Sequence, residues 1–437
     1  MISGRKSVRA VDLMLSLLLA GLMYETILYS SQNGIPYGVF SFNAGTVNLR
    51  LLDLLVLGTG AVSLFHTRAR TLPLRYASAV IAMGLWIILS WAILSHQSPG
   101  VSSLFTELRW VIYLVCLFPV VRVVSREQIS RAARWSIVLA SPAIAAVMFA
   151  RLSGAAVNVP GLPGAVLTSV GGDAATVVGA IAILAASTGS LWWLLLLGMP
   201  LLGEQRAAIV STTLVGLVAL LVWAIYARLI KKNRRPLVIS PGVLMIALLG
   251  FAVTALVSAN RLLQEASVLG GSIYATFTSD SKQASAATRP YQLEQAWALF
   301  QSSPLVGVGT GMGNVNFFDQ YSNTYTPTDS AHNIIADIAI RWGIIGLILF
   351  TCVLAFAAIE NGRLTNRSNF LIVVALATVL AKGLFEPALD KYRLVAMLAI
   401  CVTAMCTSQT LVPDFAARSR DGLRLSVRGS RRVEFVQ

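Results

Sequence analysis

His332 is one of only three histidines in a chain of 437 residues, and it keeps company with cations rather than carboxylates. It stands where a long polar connection gives way to an apolar run. Arg206 and Arg289 reach the same boundary from two other segments, and Lys282 belongs to the same connection as Arg289. Arginine offers phosphate a rigid fork of donors and does not lose its charge. A histidine that titrates near neutrality can take a proton from an attacking hydroxyl. Together these residue types suit displacement of a diphosphate leaving group, with the cations stabilising the charge that builds on it. Each residue alone has a plainer reading, as an interfacial polar histidine or an arginine reaching for lipid headgroups.

Two other features bear on chemistry. Glycines 307, 309, 311 and 313 form GVGTGMG. No Gly-Lys-Ser/Thr follows them, so a tight surface turn is the ordinary reading and an anion nest of backbone N–H groups the other. Gly343 and Gly346 lie three residues apart beyond His332, a spacing that permits close helix packing. Cys116, Cys352, Cys401 and Cys406 all fall inside apolar runs and read as packing residues. With no cluster of Cys and His, neither a metal nor a cofactor is expected.

The elements that must position these residues are membrane helices. Hydrophobic residues make up 56% of the chain and charged residues 12%, too few charges for a soluble protein of this length. In lipid every backbone N–H and C=O must be satisfied internally. Apolar runs of about 18 to 25 residues without a period of two favour helices over a barrel. The runs fall near 11–30, 49–66, 76–95, 105–122, 135–153, 171–187, 190–203, 205–226, 237–258, 333–358, 370–388 and 393–411. The expectation is an all-α polytopic membrane protein of about twelve spans.

A net charge of +15 would suggest nucleic acid in a soluble protein. Here the basic residues sort by side of the membrane, and no nucleic-acid partner is expected. Alternating from a cytoplasmic start puts roughly two thirds of them inside, including the cluster 228–235 and the tail from Arg418 to Arg432. Both ends are then cytoplasmic, and the first span reads as a retained anchor. Residues 1–411 form one membrane domain, and 412–437 a basic tail near anionic headgroups.

One large extracytoplasmic loop, 259–331, falls between spans 9 and 10. Loops of that length are functional or disordered. Within Pro290–Gln301, Leu293, Ala296, Trp297 and Phe300 share a helical face, which predicts a short amphipathic helix on the outer surface. The seventh run, 190–203, is only about 21 Å long as an α-helix, against a hydrocarbon core of about 30 Å. It cannot cross alone without tilting partners or a thinned membrane.

Three stretches resemble the O-antigen ligase and O-antigen polymerase family of bacterial envelope enzymes. They are Gly203–Ala207 (GEQRA), Arg289–Gly311 (RPYQLEQAWALFQSSPLVGVGTG) and His332–Leu347 (HNIIADIAIRWGIIGL). The resemblance implies a metal-independent, inverting glycosyltransferase of the bacterial inner membrane, working on its periplasmic face. Its donor would be a glycan on undecaprenyl diphosphate, and its acceptor a hydroxyl on another glycan or lipid. By the same implication His332 orients or deprotonates the acceptor, while Arg206 and Arg289 hold the donor diphosphate. Many relatives carry Glu where this chain has Arg341, which could add a third cation for the lipid diphosphate. A polymerase of surface polysaccharide is the favoured expectation and a ligase to lipid A core the alternative. A small-solute transporter is the reading from a different class, with Asp337, Lys382 and Glu386 as its intramembrane charges.

Overall fold

The computed structural model describes residues 2–28, 41–44, 47–65, 71–94, 101–153, 157–158, 166–167, 171–202, 208–218, 221, 293–309, 316–319, 324–327, 331, 333–362, 366–384, 389 and 391–407. Span 9, the two ends of span 8, Lys282, Glu386 and the basic tail lie outside these. The helices, in chain order, are α1 (Ile2–Leu28), α2 (Leu51–Leu64), α3 (Leu74–Leu94), α4 (Val101–Cys116), α5 (Phe118–Val123), α6 (Arg126–Ser153) and α7 (Gly172–Thr188). A 3-10 helix, Leu191–Leu202, and a π-helical turn, Ile209–Leu214, come next. Then follow α8 over 293–302, α9 (Ile334–Asn361), α10 (Arg367–Gly383) and α11 (Tyr392–Cys406).

The protein is a helical membrane protein. Among the described residues five segments are long and apolar enough to cross a bilayer: Ala10–Leu28, Leu74–Leu94, Leu104–Val123, Arg126–Ala150 and Ile334–Asn361. The shorter helices α7 and α11 are buried along nearly their whole length and form the interior of the bundle. Their sequences suit that place. α7 is built from Gly, Ala, Thr and Val, which let neighbouring backbones approach closely. Around them α1 packs on α6 and α2, α7 on α10 and the 3-10 helix, and α9 on α3 and α11. The cysteines are free, Cys401 and Cys406 buried and the other two half-buried.

Polar contacts gather at the two ends of the bundle, and they join the ends that alternating spans would join. At one end Gln128 donates to Asp12, and Arg367 donates to the Ala186 and Gly189 carbonyls that close α7. Arg126 lies there too. Its guanidinium donates to the Asn361, Met405 and Thr407 carbonyls and to the Asn369 side chain, tying α6 to α9, α10 and α11. Helix C-termini leave carbonyls without intrahelical donors, and a buried arginine supplies several at once. The start of α1 and the finish of α11 share this end.

The opposite end holds three antiparallel hairpins that the apolar pattern did not reveal. They pair Ser41–Ala44 with Val47–Arg50, Val157–Asn158 with Val166–Leu167, and Asn316–Asp319 with Thr324–Pro327. Each lies in a connection that the alternation assigns to the outer side.

The short seventh run is a 3-10 helix rather than an α-helix. Twelve residues span about 18 Å as an α-helix but about 24 Å as a 3-10 helix, at roughly 2.0 Å per residue. Thr213 Oγ1 then donates to Leu197 O (2.7 Å), fastening the π turn to this stretched segment. Thr212 meets Thr176 of α7 (3.2 Å between hydroxyls).

Candidate active site

Of the residues expected to carry chemistry, Arg341 is described, while His332, Arg206, Arg289 and Lys282 lie outside the described residues. What surrounds position 332 is described closely. Asn333 caps α9, its side-chain oxygen accepting from Ile335 N (3.0 Å) and Ala336 N (3.1 Å). Its amide nitrogen donates to Leu384 O at the close of α10 (3.2 Å). Ala331 N donates to the Asp337 carboxylate at 2.7 Å. Asp337, one of the charges a transporter reading would use, is 1% exposed and fixes the backbone just before position 332.

Ten residues further on, α9 is broken. Gly343 has φ +65°, a conformation that L side chains rarely adopt. The break separates donors and acceptors that would otherwise pair four residues apart, and the segment 304–309 takes both sets. Ile344 N donates to Pro304 O (2.9 Å) and Ile345 N to Leu305 O (3.2 Å). In return Val308 N donates to Ile340 O (2.7 Å) and Gly309 N to Arg341 O (3.1 Å). The Trp342 carbonyl accepts from Trp86 Nε1 on α3 (3.0 Å). Residues 344–361 remain as a continuous helix of about 27 Å, close to a bilayer core by themselves.

This geometry changes two expectations. The pair Gly343 and Gly346 does not serve packing between separate helices. Gly343 makes the break, and at Gly346 an added Cβ would run into Trp342 of the same helix. The glycines of the turn are buried rather than on the surface. Gly307 (φ +78°) and Gly309 (φ +104°) press against the α9 backbone and Leu94 of α3. The N–H groups of 307, 308 and 309 all donate to protein carbonyls, so this part of the run is a structural turn and not an anion nest. Residues 310–313 lie outside the described set.

The amphipathic helix exists as α8, but its faces are apportioned differently. Ala296 is buried in a small cluster with Ala331 and Ile340, against which Leu299, Val308 and Ala336 pack. Leu293 and Trp297 remain exposed, at 41% and 57%. The helix therefore docks on the first turns of α9 through its small residue and presents its large apolar ones outward. The stretches 293–309 and 333–345, with Ala331, form one unit.

Arg341 is buried on that unit, with Nη1 3.7 Å from Glu107 Oε1 of α4. Glu107 Oε2 accepts from Trp342 Nε1 (3.1 Å). The guanidinium that sequence reading offered as an extra donor-binding cation thus already faces a carboxylate. Two residues along α4 the network continues in another direction. Arg109 Nε lies 3.2 Å from Asp53 Oδ1, and Asp53 also accepts from Tyr113 OH and from Arg50 N (2.6 Å). Neither Glu107 nor this second group was singled out from sequence. The signal was there: Glu25, Asp53, Glu107 and Arg109 are charges inside apolar runs, where ionisable residues are costly and functional by default.

Residues 190–351 match the family described as O-antigen ligase. This matched domain is similar to O-antigen ligases. That domain takes in the 3-10 helix, the π turn, α8, the inserted turn and the break in α9, so the unit built around position 332 lies wholly within it. The Arg109–Asp53 group and α11 fall outside the matched residues. No curated protein matches the chain.

Proposed function

We propose that the protein is an inner-membrane glycosyltransferase that elongates a surface polysaccharide on the periplasmic side. The donor is a glycan on undecaprenyl diphosphate and the acceptor a hydroxyl of a second glycan. The acceptor oxygen attacks the anomeric carbon of the donor sugar, and the bond from that carbon to the phosphate oxygen breaks. The hydroxyl proton passes to His332. The electron pair leaves with the lipid diphosphate, whose charge Arg206 and Arg289 hold. The observation that supports this reading most is the docking of α8 and the 304–309 turn into broken α9. It ties the stretch following Arg289 to the helix that begins after His332. The reading places both ends of the chain in the cytoplasm, with twelve spans and loop 259–331 outside.

The deciding experiment is glycan length in cells lacking the protein, on both lipid-linked and surface-attached material. Accumulated single repeat units with no long chains support a polymerase. Long chains stranded on the carrier lipid mean a ligase instead, and an unchanged profile overturns both. His332→Ala should reproduce the deletion while inserting normally. Full activity in that variant removes His332 from the chemistry.

A further inference from the structure

The Asp337 side chain is buried near the start of α9, yet it does not cap the helix. Asn333 fills that role, its side-chain oxygen accepting from Ile335 N and Ala336 N. Asp337 N donates to Asn333 O (2.8 Å) as the next bond of the helix. The carboxylate reaches back instead, past position 332, and accepts from Ala331 N at 2.7 Å. Burying an acid among helices is costly, and capping does not account for one here.

The bond closes a ring of chain, 331–337, across the residue that the transfer chemistry uses. Ala331, on one side of that residue, is buried in a cluster with Ala296 of α8 and Ile340 of α9. Asn333, on the other side, donates through its amide to Leu384 O where α10 ends. Each flank is thus tied to a different helix, and the Asp337 bond joins the Ala331 flank to α9. The 304–309 turn has its own bonds to α9, so the docked unit does not depend on the Asp337 bond alone.

We propose that Asp337 is a positioning residue for His332: its hydrogen bond from Ala331 N fixes the chain that carries the histidine. This rests on the reading of His332 as the group that takes the acceptor's proton. Consecutive Cα atoms stand about 3.8 Å apart, so a held residue on each side restricts the one between. Proton transfer needs hydrogen-bond reach, and a misplacement of about 1 Å costs on the order of a hundredfold in rate. The acceptor oxygen of Asp337 carries the effect, and its charge does not.

The test follows transfer by the full chain in proteoliposomes, with the lipid-linked repeat unit from cells lacking the protein as substrate. Asp337→Ala removes the acceptor oxygen and should lower kcat per folded molecule by about tenfold or more, with KM for the donor unchanged. A purely structural role would lower the folded yield and leave that kcat alone. Asp337→Asn keeps an acceptor oxygen without the charge and should recover most of the rate. A loss in Asp337→Asn as large as in Asp337→Ala overturns the proposal, and so does wild-type kcat in Asp337→Ala. If Asp337→Ala fails to fold, Asp337→Glu moves the acceptor by one methylene and should lower kcat by about threefold or more. Unchanged kcat in that variant overturns the proposal. His332→Ala, run in parallel, separates this role from the reading beneath it. Full transfer by His332→Ala removes the histidine from the chemistry and the positioning role with it. A fully active Asp337→Ala beside an inactive His332→Ala overturns the positioning role alone.

Discussion

Gly343→Ala should uncouple the loop from the membrane helix and abolish activity. A Cβ built at 343 would fall 2.5 Å from the Leu305 carbonyl carbon and 2.6 Å from Gly307 N, with the Leu305 oxygen nearer still. These are backbone atoms of a buried turn, so the segment 304–309 must retreat. Its retreat breaks the four hydrogen bonds it makes to Ile340, Arg341, Ile344 and Ile345. At about 1 kcal/mol net for each bond, and about 1–2 kcal/mol for placing alanine at positive φ, the docked state loses about 5–6 kcal/mol. At about 1.4 kcal/mol per tenfold, the docked turn falls to a minor population. The assay is long-chain glycan in cells, normalised to protein in the membrane, with protease sensitivity of the loop as a second readout. Gly198→Ala is the control, because a Cβ there meets nothing within 4 Å. Wild-type glycan and wild-type loop protection in Gly343→Ala would refute the claim that this junction positions the site.

Glu107→Gln keeps the shape of the residue but removes the charge facing Arg341, and breaking a buried pair costs about 3 kcal/mol. Glycan transfer per folded molecule should fall more than tenfold, with Glu107→Asp retaining an intermediate rate; equal rates in all three forms would make the pair incidental. Arg126→Met strips donors from the carbonyls of Asn361, Met405 and Thr407, and should cost about 3 kcal/mol or more. The unfolding temperature in detergent should drop by several degrees while activity per folded molecule holds, and an unchanged unfolding temperature would show these bonds to be dispensable. Arg206→Lys retains the charge and loses the fork, so transfer should fall by roughly tenfold or more; wild-type turnover would reduce Arg206 to a headgroup contact.

What the sequence made legible is what depends on solvent and period. Apolar runs located the segments from Ala10–Leu28 to Ile334–Asn361, because hydrocarbon demands long helices whatever their partners. The helical face at Ala296 was readable because it acts within a turn or two of its own position. Tertiary choices were not readable. The 3-10 form of Leu191–Leu202 was one such choice, since nothing in LWWLLLLGMPLL forbids an α-helix. The pairings Glu107–Arg341 and Asp53–Arg109 join residues far apart in the chain, and each partner alone is an isolated charge in an apolar run. The small hairpins lacked the alternating length that marks a strand.

The glycines carry the argument furthest. A glycine with positive φ inside a membrane helix exposes amides and carbonyls that lipid cannot satisfy, so the break is tolerable only where protein fills it. Here the filler is the segment 304–309, and it needs glycines of its own at 307 and 309, since a Cβ at 307 would meet the Arg341 carbonyl at 2.5 Å. The two glycine-bearing motifs are therefore halves of one joint, and neither half is stable in lipid without the other. The joint also holds the backbone after Arg289 against the helix that His332 introduces, so a change at either glycine should act on transfer before it acts on membrane insertion.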